Sequence, residues 1–494
     1  MRFALPHGRA AAIPTFGTCR IPFARLHETD ASGATTPEGA PSPGLGSVCE
    51  TRVSKESALR KWRLIGCVFL PFAAGYYLSY LFRTITSSIS GPLMSEFALD
   101  AADIGLLASI YFLFFAAAQL PLGVLLDRFG PRRVEGVLLV IAAGGATLFG
   151  TATGFGELLV ARAMIGLGVA GALMAGLKAI VIWFPKERVA LANGYMIMLG
   201  SLGAVTATAP AELLLDWVGW RGLFEILSFA TFAIAALIYL LAPEPAVSSS
   251  KLPGATLKAV YSNPQFWRIA PLSATAIGSS WALQSLWAAP WLGEVERFDR
   301  HSVVMLLFML ALGISAAALL LGTVADRLRR RGFAPEVLLA AVAGLFVAAQ
   351  LTLVLRVPLP SLLPWSVVPV VGAATVLSFA TMADYFPNQL AARANGALNL
   401  LHFGWAFAVQ YGIGLIVEQW LPQNGHYPAE AYRTAFSVSI AFQVLALIWF
   451  AMPWLRGLSR RCRALLARYQ DGLSLLIAPP RLGAPVEERE GAEC

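Results

Sequence analysis

Long apolar segments constrain the fold of this chain more than any other feature. Only 13% of its 494 residues are charged, about half the share that is typical of a soluble domain. Twelve apolar runs can be traced, each of about 17 to 25 residues, which is enough to cross a bilayer as a helix. A helix satisfies its own backbone hydrogen bonds, as a lipid-embedded segment must. We therefore predict an all-α membrane protein with twelve transmembrane helices, at 64–85, 102–126, 134–153, 157–184, 189–210, 222–242, 267–291, 302–325, 335–356, 362–385, 391–417 and 431–454.

The chain contains a repeat of about 200 residues. The charged turn around Asp127 returns around Asp326, at an offset of 326 − 127 = 199 positions. The pair Phe-Pro that begins at Phe184 returns at Phe386, at an offset of 386 − 184 = 202. The same landmarks in the same order predict one membrane unit built twice, as two pseudo-symmetric six-helix bundles.

The composition outside the apolar runs divides the chain further. The N-terminal segment is rich in Gly, Pro, Ala and Thr and lacks the apolar core of a signal peptide. We therefore expect a disordered tail there; the alternative is that the sequence begins upstream of the true start of the protein. The expected domains are an N-terminal tail, two bundles with a linker between them and a basic C-terminal tail, at 1–58, 59–242, 243–266, 267–455 and 456–494.

Basic residues follow alternate helices, while the other turns are acidic or neutral. The positive-inside rule then places both termini in the cytoplasm of a multi-pass protein of the cell (inner) membrane. The net charge of +8 comes mainly from these turns, so it indicates no nucleic-acid partner. The five cysteines form no C-x-x-C or Cys/His cluster, and we expect no metal and no cofactor.

The first charged turn resembles the loop signature of the major facilitator superfamily. The matching residues in the first half are Gly123, Asp127, Arg128, Gly130 and Arg132, and the second half carries a degenerate copy in Asp326 and Arg327. The resemblance implies the fold of that superfamily and secondary active transport by alternating access, with these seven residues in a gating role. Pro131 departs from the pattern, which usually has a basic residue there.

Three residues are candidates for coupling transport to an ion. Arg162, followed by Gly166 and Gly168, resembles the fourth-helix pattern of the superfamily, which is tied to proton coupling or to structure in relatives. Glu225 lies near the outer end of the sixth predicted helix, where it pairs with a cation or reaches water. His402 lies well inside a span, and its ordinary pKa of about 6.5 suits proton transfer; a neutral, hydrogen-bonded histidine is the alternative.

Two cations inside predicted spans are candidates for solute binding, since charges there are costly and default to function. Tyr76, Tyr80 and Arg83 share one face of the first helix, where a guanidinium beside two phenols suits a carboxylate or phosphate. Lys178 lies on an apolar face of the fourth helix. For both cations the alternative is a side chain that reaches the headgroups at the helix end.

The surroundings of Arg83 and Lys178 are similar to motifs of organic-anion and organophosphate transporters, in which both cations face the cavity. The seventh helix departs from that branch because it carries no cation; Gln284 and Trp287 lie there instead. A carboxylate or zwitterion therefore fits better than a phosphate. Asn399 and His402 form part of a polar stripe on the eleventh helix and are further candidates, with interhelical hydrogen bonding as the alternative for Asn399.

The expected function is secondary transport of a small organic solute, an organic anion or zwitterion, coupled to protons or another ion. A drug/proton antiporter and a non-transporting membrane sensor on the same fold are the alternatives. No catalytic motif is present, so we do not expect an enzyme. The expected partners are the solute, the coupling ion and the lipid bilayer, and the expected state is a monomer.

Overall fold

The computed structural model describes residues 62, 64–244, 257–423 and 426–477. Ten helices in these ranges are long and apolar enough to cross a membrane. One of them, Ala101–Thr151, comprises two spans that meet at Gly130, where the backbone is not helical. The stretch from Pro264 to Val295 forms a further span, whose many Ser and Thr residues make it less apolar. The prediction of an all-α membrane protein with twelve spans is confirmed.

Several spans are built from consecutive shorter helices. The first half contains, in order, Ile65–Phe69, Leu70–Thr84 and Thr86–Phe97 (first span), Ala101–Thr151 (second and third), Phe155–Gly168 and Ala172–Trp183 (fourth), Lys186–Thr206 and the start of Ala209–Leu241 (fifth), and the rest of Ala209–Leu241 (sixth). The second half contains Leu257–Tyr261 (a short helix before the spans), Pro264–Ala282, Leu283–Trp287, Ala288–Pro290 and Trp291–Val295 (seventh), Arg300–Arg330 (eighth), Pro335–Val354 (ninth), Leu362–Ala373 and Thr375–Tyr385 (tenth), Asn388–Val417 (eleventh) and Ala429–Ile477 (twelfth).

The repeat of the sequence is also a repeat of backbone irregularities. Gly130 and Gly332 both have a positive φ, of 78° and 85°, which glycine adopts without steric cost; their offset is 332 − 130 = 202. The first span breaks at Ile85, and the seventh contains a π-helical turn at Leu283–Trp287. The fourth and tenth spans break at residues 169–171 and at Ala374. Equivalent spans of the two halves are therefore interrupted at equivalent depths.

Polar caps fix where several helices begin. Asp100 and Asp103 form a capping box at the start of the second span. Asp299 caps the eighth span, and hydrogen bonds from the Ser302 hydroxyl and backbone N–H lower the pKa of its carboxyl. Asn263 caps the seventh span, which has proline in its first turn. The acidic caps lie at the side of the molecule away from the Asp127 and Asp326 turns.

Glycines allow the spans of the first half to pack closely. A Cβ atom added to Gly166 would lie 2.4 Å from the carbonyl oxygen of Tyr111 on the second span. A Cβ atom on Gly203 would lie 2.0 Å from the carbonyl oxygen of Tyr77 on the first. Small residues permit such backbone contact between lipid-embedded helices, where dispersion and hydrogen bonds rather than the hydrophobic effect hold helices together.

The structure differs from the sequence-based boundaries in three places. The first span continues to Phe97 beyond a break at Ile85, so Arg83 lies within it and not near its end. The segment predicted as linker, 243–266, contains the helix Leu257–Tyr261 and the start of the seventh span, and the twelfth helix continues to Ile477, beyond 455. The predicted N-terminal tail, 1–58, lies outside the described residues.

Candidate functional site

A small cavity lies where the two halves meet. Its free volume is about 10 Å³, which leaves room for about one water molecule. The first, seventh, eighth and tenth spans line it. The lining residues are Tyr80, Arg83, Thr84, Trp281, Gln284, Ile314 and Gly372, and we call this space the central cavity.

Among the described residues that line the central cavity, Arg83 is the one cation. Its guanidinium carbon lies 3.9 Å from the ring centre of Tyr80 and 5.1 Å from that of Trp281, so aromatic rings from both halves contact the charge. Tyr76 extends the group, with its ring edge-on to that of Tyr80 at 5.2 Å. No carboxylate among the described residues forms a salt bridge with Arg83. The site therefore presents a positive charge that has no counter-ion of its own.

The seventh span contributes an amide to the central cavity. Gln284 donates from Nε2 to Ser280 Oγ at 2.8 Å and to the Val368 carbonyl oxygen at 3.3 Å. Gly372 makes room for this amide, because a Cβ atom there would lie 2.9 Å from the same Nε2. These bonds use the NH₂ group, so the amide oxygen is available as an acceptor for a hydroxyl or ammonium group.

This arrangement suits a small anion that also carries polar groups. A guanidinium offers a fork of N–H donors that matches the two oxygens of a carboxylate. The rings of Tyr80 and Trp281 restrict its position, while the Gln284 amide offers a neutral hydrogen-bonding partner. Because the surroundings are shielded from water, the attraction between the charge and an anion exceeds its value in solution.

The two halves contact each other from mid-depth to the side of the acidic caps. The rings of Phe115 and Phe403 stack at 3.9 Å, and Arg300 of the eighth span forms a salt bridge with Glu212 of the first half. We call the face that carries the Asp127 and Asp326 turns the motif side. There, each salt bridge of the described residues joins partners within one half, at Arg133–Glu244, Lys178–Asp127, Arg268–Glu336 and Arg329–Asp384.

Lys178 does not share the central cavity with Arg83. Its Nζ atom donates to Asp127 Oδ1 at 2.6 Å and to the Leu126 carbonyl oxygen at 2.7 Å. The motif aspartate is therefore paired with this lysine of the same half. The second half has a charge-reversed counterpart, in which Arg329 of the turn lies 2.9 Å from Asp384 at the end of the tenth span.

The remaining gating candidates surround the same two turns. Arg132 donates from Nε to the Tyr239 carbonyl oxygen at 2.7 Å and so ties the first turn to the sixth span. Gly130 supplies the left-handed residue at which the second span ends. The other candidates are solvent-exposed, at Gly123, Arg128, Asp326 and Arg327.

Three other predicted binding residues bond to neighbouring spans. The Trp287 ring N–H donates to the Gln410 carbonyl oxygen at 3.0 Å. Asn399 donates to Gln119 Oε1 at 2.9 Å, in a side-chain bond between the two halves. His402 is fully buried, with its Nε2 atom 2.7 Å from Ser273 Oγ. None of the three lines the central cavity, although the His402 ring lies edge-on behind Trp281 at 5.8 Å.

Arg162 and Glu225 have contrasting surroundings. Arg162 is 1% exposed; it donates to the Phe82 carbonyl oxygen at 3.0 Å and to the Thr86 hydroxyl, so it bridges the break of the first span. Glu225 is exposed on the sixth span. Neither residue lines the central cavity.

Sequence reasoning missed two residues of the central cavity and one buried residue elsewhere in the first half. Trp281 lies three positions before Gln284, so helical spacing was a signal that would have placed it on the same face. Gly372 gave no signal, because its role depends on a side chain of another span. Glu135 directly follows the arginine-rich turn and so resembles a solvated charge, but it is fully buried.

Comparisons with known proteins agree with the fold. The family model of the Major Facilitator Superfamily matches residues 72–410. The chain is 25% identical to the probable L-galactonate transporter of Escherichia coli (strain K12), over 61% of this chain and 70% of that protein. It is 24% identical to the probable 4-methylmuconolactone transporter of Cupriavidus pinatubonensis, over 78% and 90%.

Solved structures show the same fold. A bacterial homologue of the human lysosomal transporter Spinster, in an inward-facing and occupied conformation, superposes with a TM-score of 0.63 and 19% identity, over 78% of this chain and 95% of that one. The family model covers more than half of the sequence. The chain therefore belongs to the major facilitator superfamily, as a multi-pass secondary transporter and not an enzyme.

Proposed function

We propose that the protein transports a small organic acid, bound through its carboxylate at Arg83. The observation that carries this proposal is the guanidinium of Arg83, which lies at the junction of the halves without a carboxylate partner among the described residues. An anion that binds there offsets the cost of such a charge in the membrane. One cation and one amide suit a singly charged solute with hydroxyl groups, such as a sugar acid.

The names of two relatives support this class of solute. The probable L-galactonate transporter and the hexuronate transporter of Escherichia coli (strain K12) are both named for sugar acids. The latter is 26% identical over 50% of this chain and 61% of that protein. The Gln284 amide and the Tyr80 hydroxyl are the groups that we assign to the hydroxyls of such a solute.

We further propose that the two bundles, 59–242 and 267–455, rock about the central cavity while an ion gradient drives uptake. The two halves contact each other at mid-depth and on the side away from the motifs. On the motif side, the salt bridges stay within each half. Both observations support a conformation that is closed on the side away from the motifs. The Asp127–Lys178 and Arg329–Asp384 pairs would then hold the two turns against their own bundles in this conformation.

The orientation follows from charge. Because the turns on the motif side are rich in arginine, we assign that side, with both termini, to the cytoplasm of the cell (inner) membrane. The closed side is then the outer one. We propose that the monomer is the transporting unit, since each chain supplies both halves of the cavity.

Exchange of solutes across liposomes tests the proposed function. Purified protein is reconstituted with an unlabelled sugar acid inside, and entry of the labelled acid is compared with that of the matching neutral sugar and an organic phosphate. We expect rapid entry of galactonate or a hexuronate and little entry of the other two. Exchange of the neutral sugar alone would contradict the anion site, and no exchange of any solute would favour a sensor.

A further inference from the structure

A buried carboxyl group without a partner lies in the first half, apart from the central cavity. Glu135 stands at the start of the third span and is 0% exposed, and neither of its oxygens has a hydrogen-bond partner among the described residues. Glycines on two spans leave the space for it. A Cβ atom on Gly75 would lie 3.2 Å from Oε1, and one on Gly171 would lie 2.7 Å from Oε2.

The groups that surround Glu135 do not neutralise it. Leu122 and Ile238 close the pocket from the second and sixth spans, as the positions of their side chains around the two glycines show. Among the described residues, the basic and phenolic groups nearest this end of the surrounding spans have other partners. Lys178 pairs with Asp127, and Arg132 donates to the Tyr239 carbonyl oxygen. Tyr77 donates to Thr206, and Tyr76 packs on Tyr80. Cys67 also lies on the first span and carries no positive charge.

The second half shows what a paired version of this site looks like. Glu336 occupies the equivalent place, at 336 − 135 = 201, and forms a salt bridge with Arg268 at 3.2 Å. At the same offset Arg268 corresponds to Cys67, since 268 − 201 = 67. The repeat therefore keeps the acid in both halves but supplies its arginine in only one.

We infer that Glu135 binds and releases the coupling proton of the transport cycle, an inference that rests on the proposed function. An ionised carboxylate without a counter-charge is prohibitively costly in an apolar pocket, so the packing of Gly75 and Gly171 against it requires the protonated form. When these two spans separate, water enters, and the proton passes from the carboxyl group to water. The carboxylate is then favoured by the N-terminus of Ala172–Trp183, which begins beside it.

The first span links this proton to the solute. Gly75 contacts the carboxyl group, and the adjacent Tyr76 packs on Tyr80, which in turn lies against Arg83. Movement of the first span away from Glu135 therefore also displaces the aromatic residues that hold the guanidinium. Proton release and rearrangement of the solute site are thus coupled through one helix.

Two measurements on purified protein in liposomes test this inference. Infrared spectroscopy detects the C=O band of a protonated carboxyl group, which Glu135→Gln should remove and Glu336→Gln should leave. In transport, Glu135→Gln should keep solute exchange within about twofold of wild type, because exchange needs no net proton movement. In Glu135→Gln, the solute accumulation that a pH gradient drives should fall at least about tenfold. Glu336→Gln and Glu135→Asp, which keeps a titratable group, should retain gradient-driven uptake.

The outcomes separate this inference from the proposed function. An unchanged infrared band in Glu135→Gln, or full gradient-driven accumulation by that variant, would overturn the role of Glu135 while leaving organic-acid transport intact. Absence of sugar-acid exchange in the wild type would overturn the proposed function. In that case the infrared band still decides whether Glu135 holds a proton, and Glu135→Asp should shift this band even if Glu135→Gln does not fold.

Discussion

Thr86→Val should destabilise the first half of the protein, because it removes a hydrogen-bond acceptor from a buried arginine. Arg162 is fully enclosed and lies near the rings of Tyr111 and Phe149, at 5.6 and 6.0 Å from their centres. Its polar partners are the Thr86 hydroxyl and the Phe82 carbonyl oxygen. That carbonyl belongs to the last turn before the break at Ile85, where some carbonyl groups lack helical partners.

The size of the effect depends on the charge and the burial. A hydrogen bond to a charged group contributes about 1.5–3 kcal/mol. When the Thr86 hydroxyl is removed, the buried N–H group of Arg162 loses its acceptor, and the desolvation cost of that group is no longer offset. For a folding unit the size of one half, this corresponds to a fall in melting temperature of roughly 3–12 °C. Thr86→Ser keeps the hydroxyl group and should lie close to wild type.

Thermal unfolding of the two variants in detergent, together with transport at several pH values, provides the measurement. We expect Thr86→Val to melt at a lower temperature and to keep its response to a pH gradient. An unchanged melting temperature combined with loss of that response would refute the structural role. Arg162 would then be a coupling residue, as its match to the family motif first indicated.

Two further predictions concern the motif side and the packing of the first half. Asp127→Asn and Lys178→Gln should each slow solute exchange by a few-fold with membrane insertion intact, since an exposed pair of this kind contributes about 0.2–1 kcal/mol. Because both variants break the same pair, the double variant should be no slower than either single one. Additive losses in the double variant would contradict the pairing. Gly203→Ala should lower the melting temperature because its Cβ atom meets the Tyr77 carbonyl oxygen, whereas Gly194→Ala, with no atom within 4 Å of the new Cβ, should not.

The fold and the cluster around Arg83 were predictable because both depend on periodicity. Apolar runs of membrane length and a repeat at about 200 residues determine the architecture. Helical spacing placed Tyr76, Tyr80 and Arg83 on one face, and the structure brings these three side chains together. That cluster needed no knowledge of the neighbouring spans.

The seventh span shows why other site residues were not predictable. A regular helix would place Gln284 and Trp287 on one face, but Leu283–Trp287 is a π-helical turn. The additional residue in that turn rotates the later part of the span about its axis, so Gln284 lines the cavity while Trp287 bonds to Gln410. The partner of Lys178 was not predictable for another reason. Asp127 comes within reach of this lysine only through the packing of the second span against the fourth.

The affinity of the central cavity for a sugar acid, measured in wild type and in Arg83 variants, is the most direct test of the proposed anion site. Arg83→Gln keeps some volume and hydrogen bonding but loses the charge, and charge-assisted bonds of about 1.5–3 kcal/mol correspond to a roughly 10- to 150-fold loss of affinity. Arg83→Lys should recover only part of it, because an ammonium group does not match the two carboxylate oxygens. Unchanged affinity in Arg83→Gln would contradict the anion site at the centre of this account.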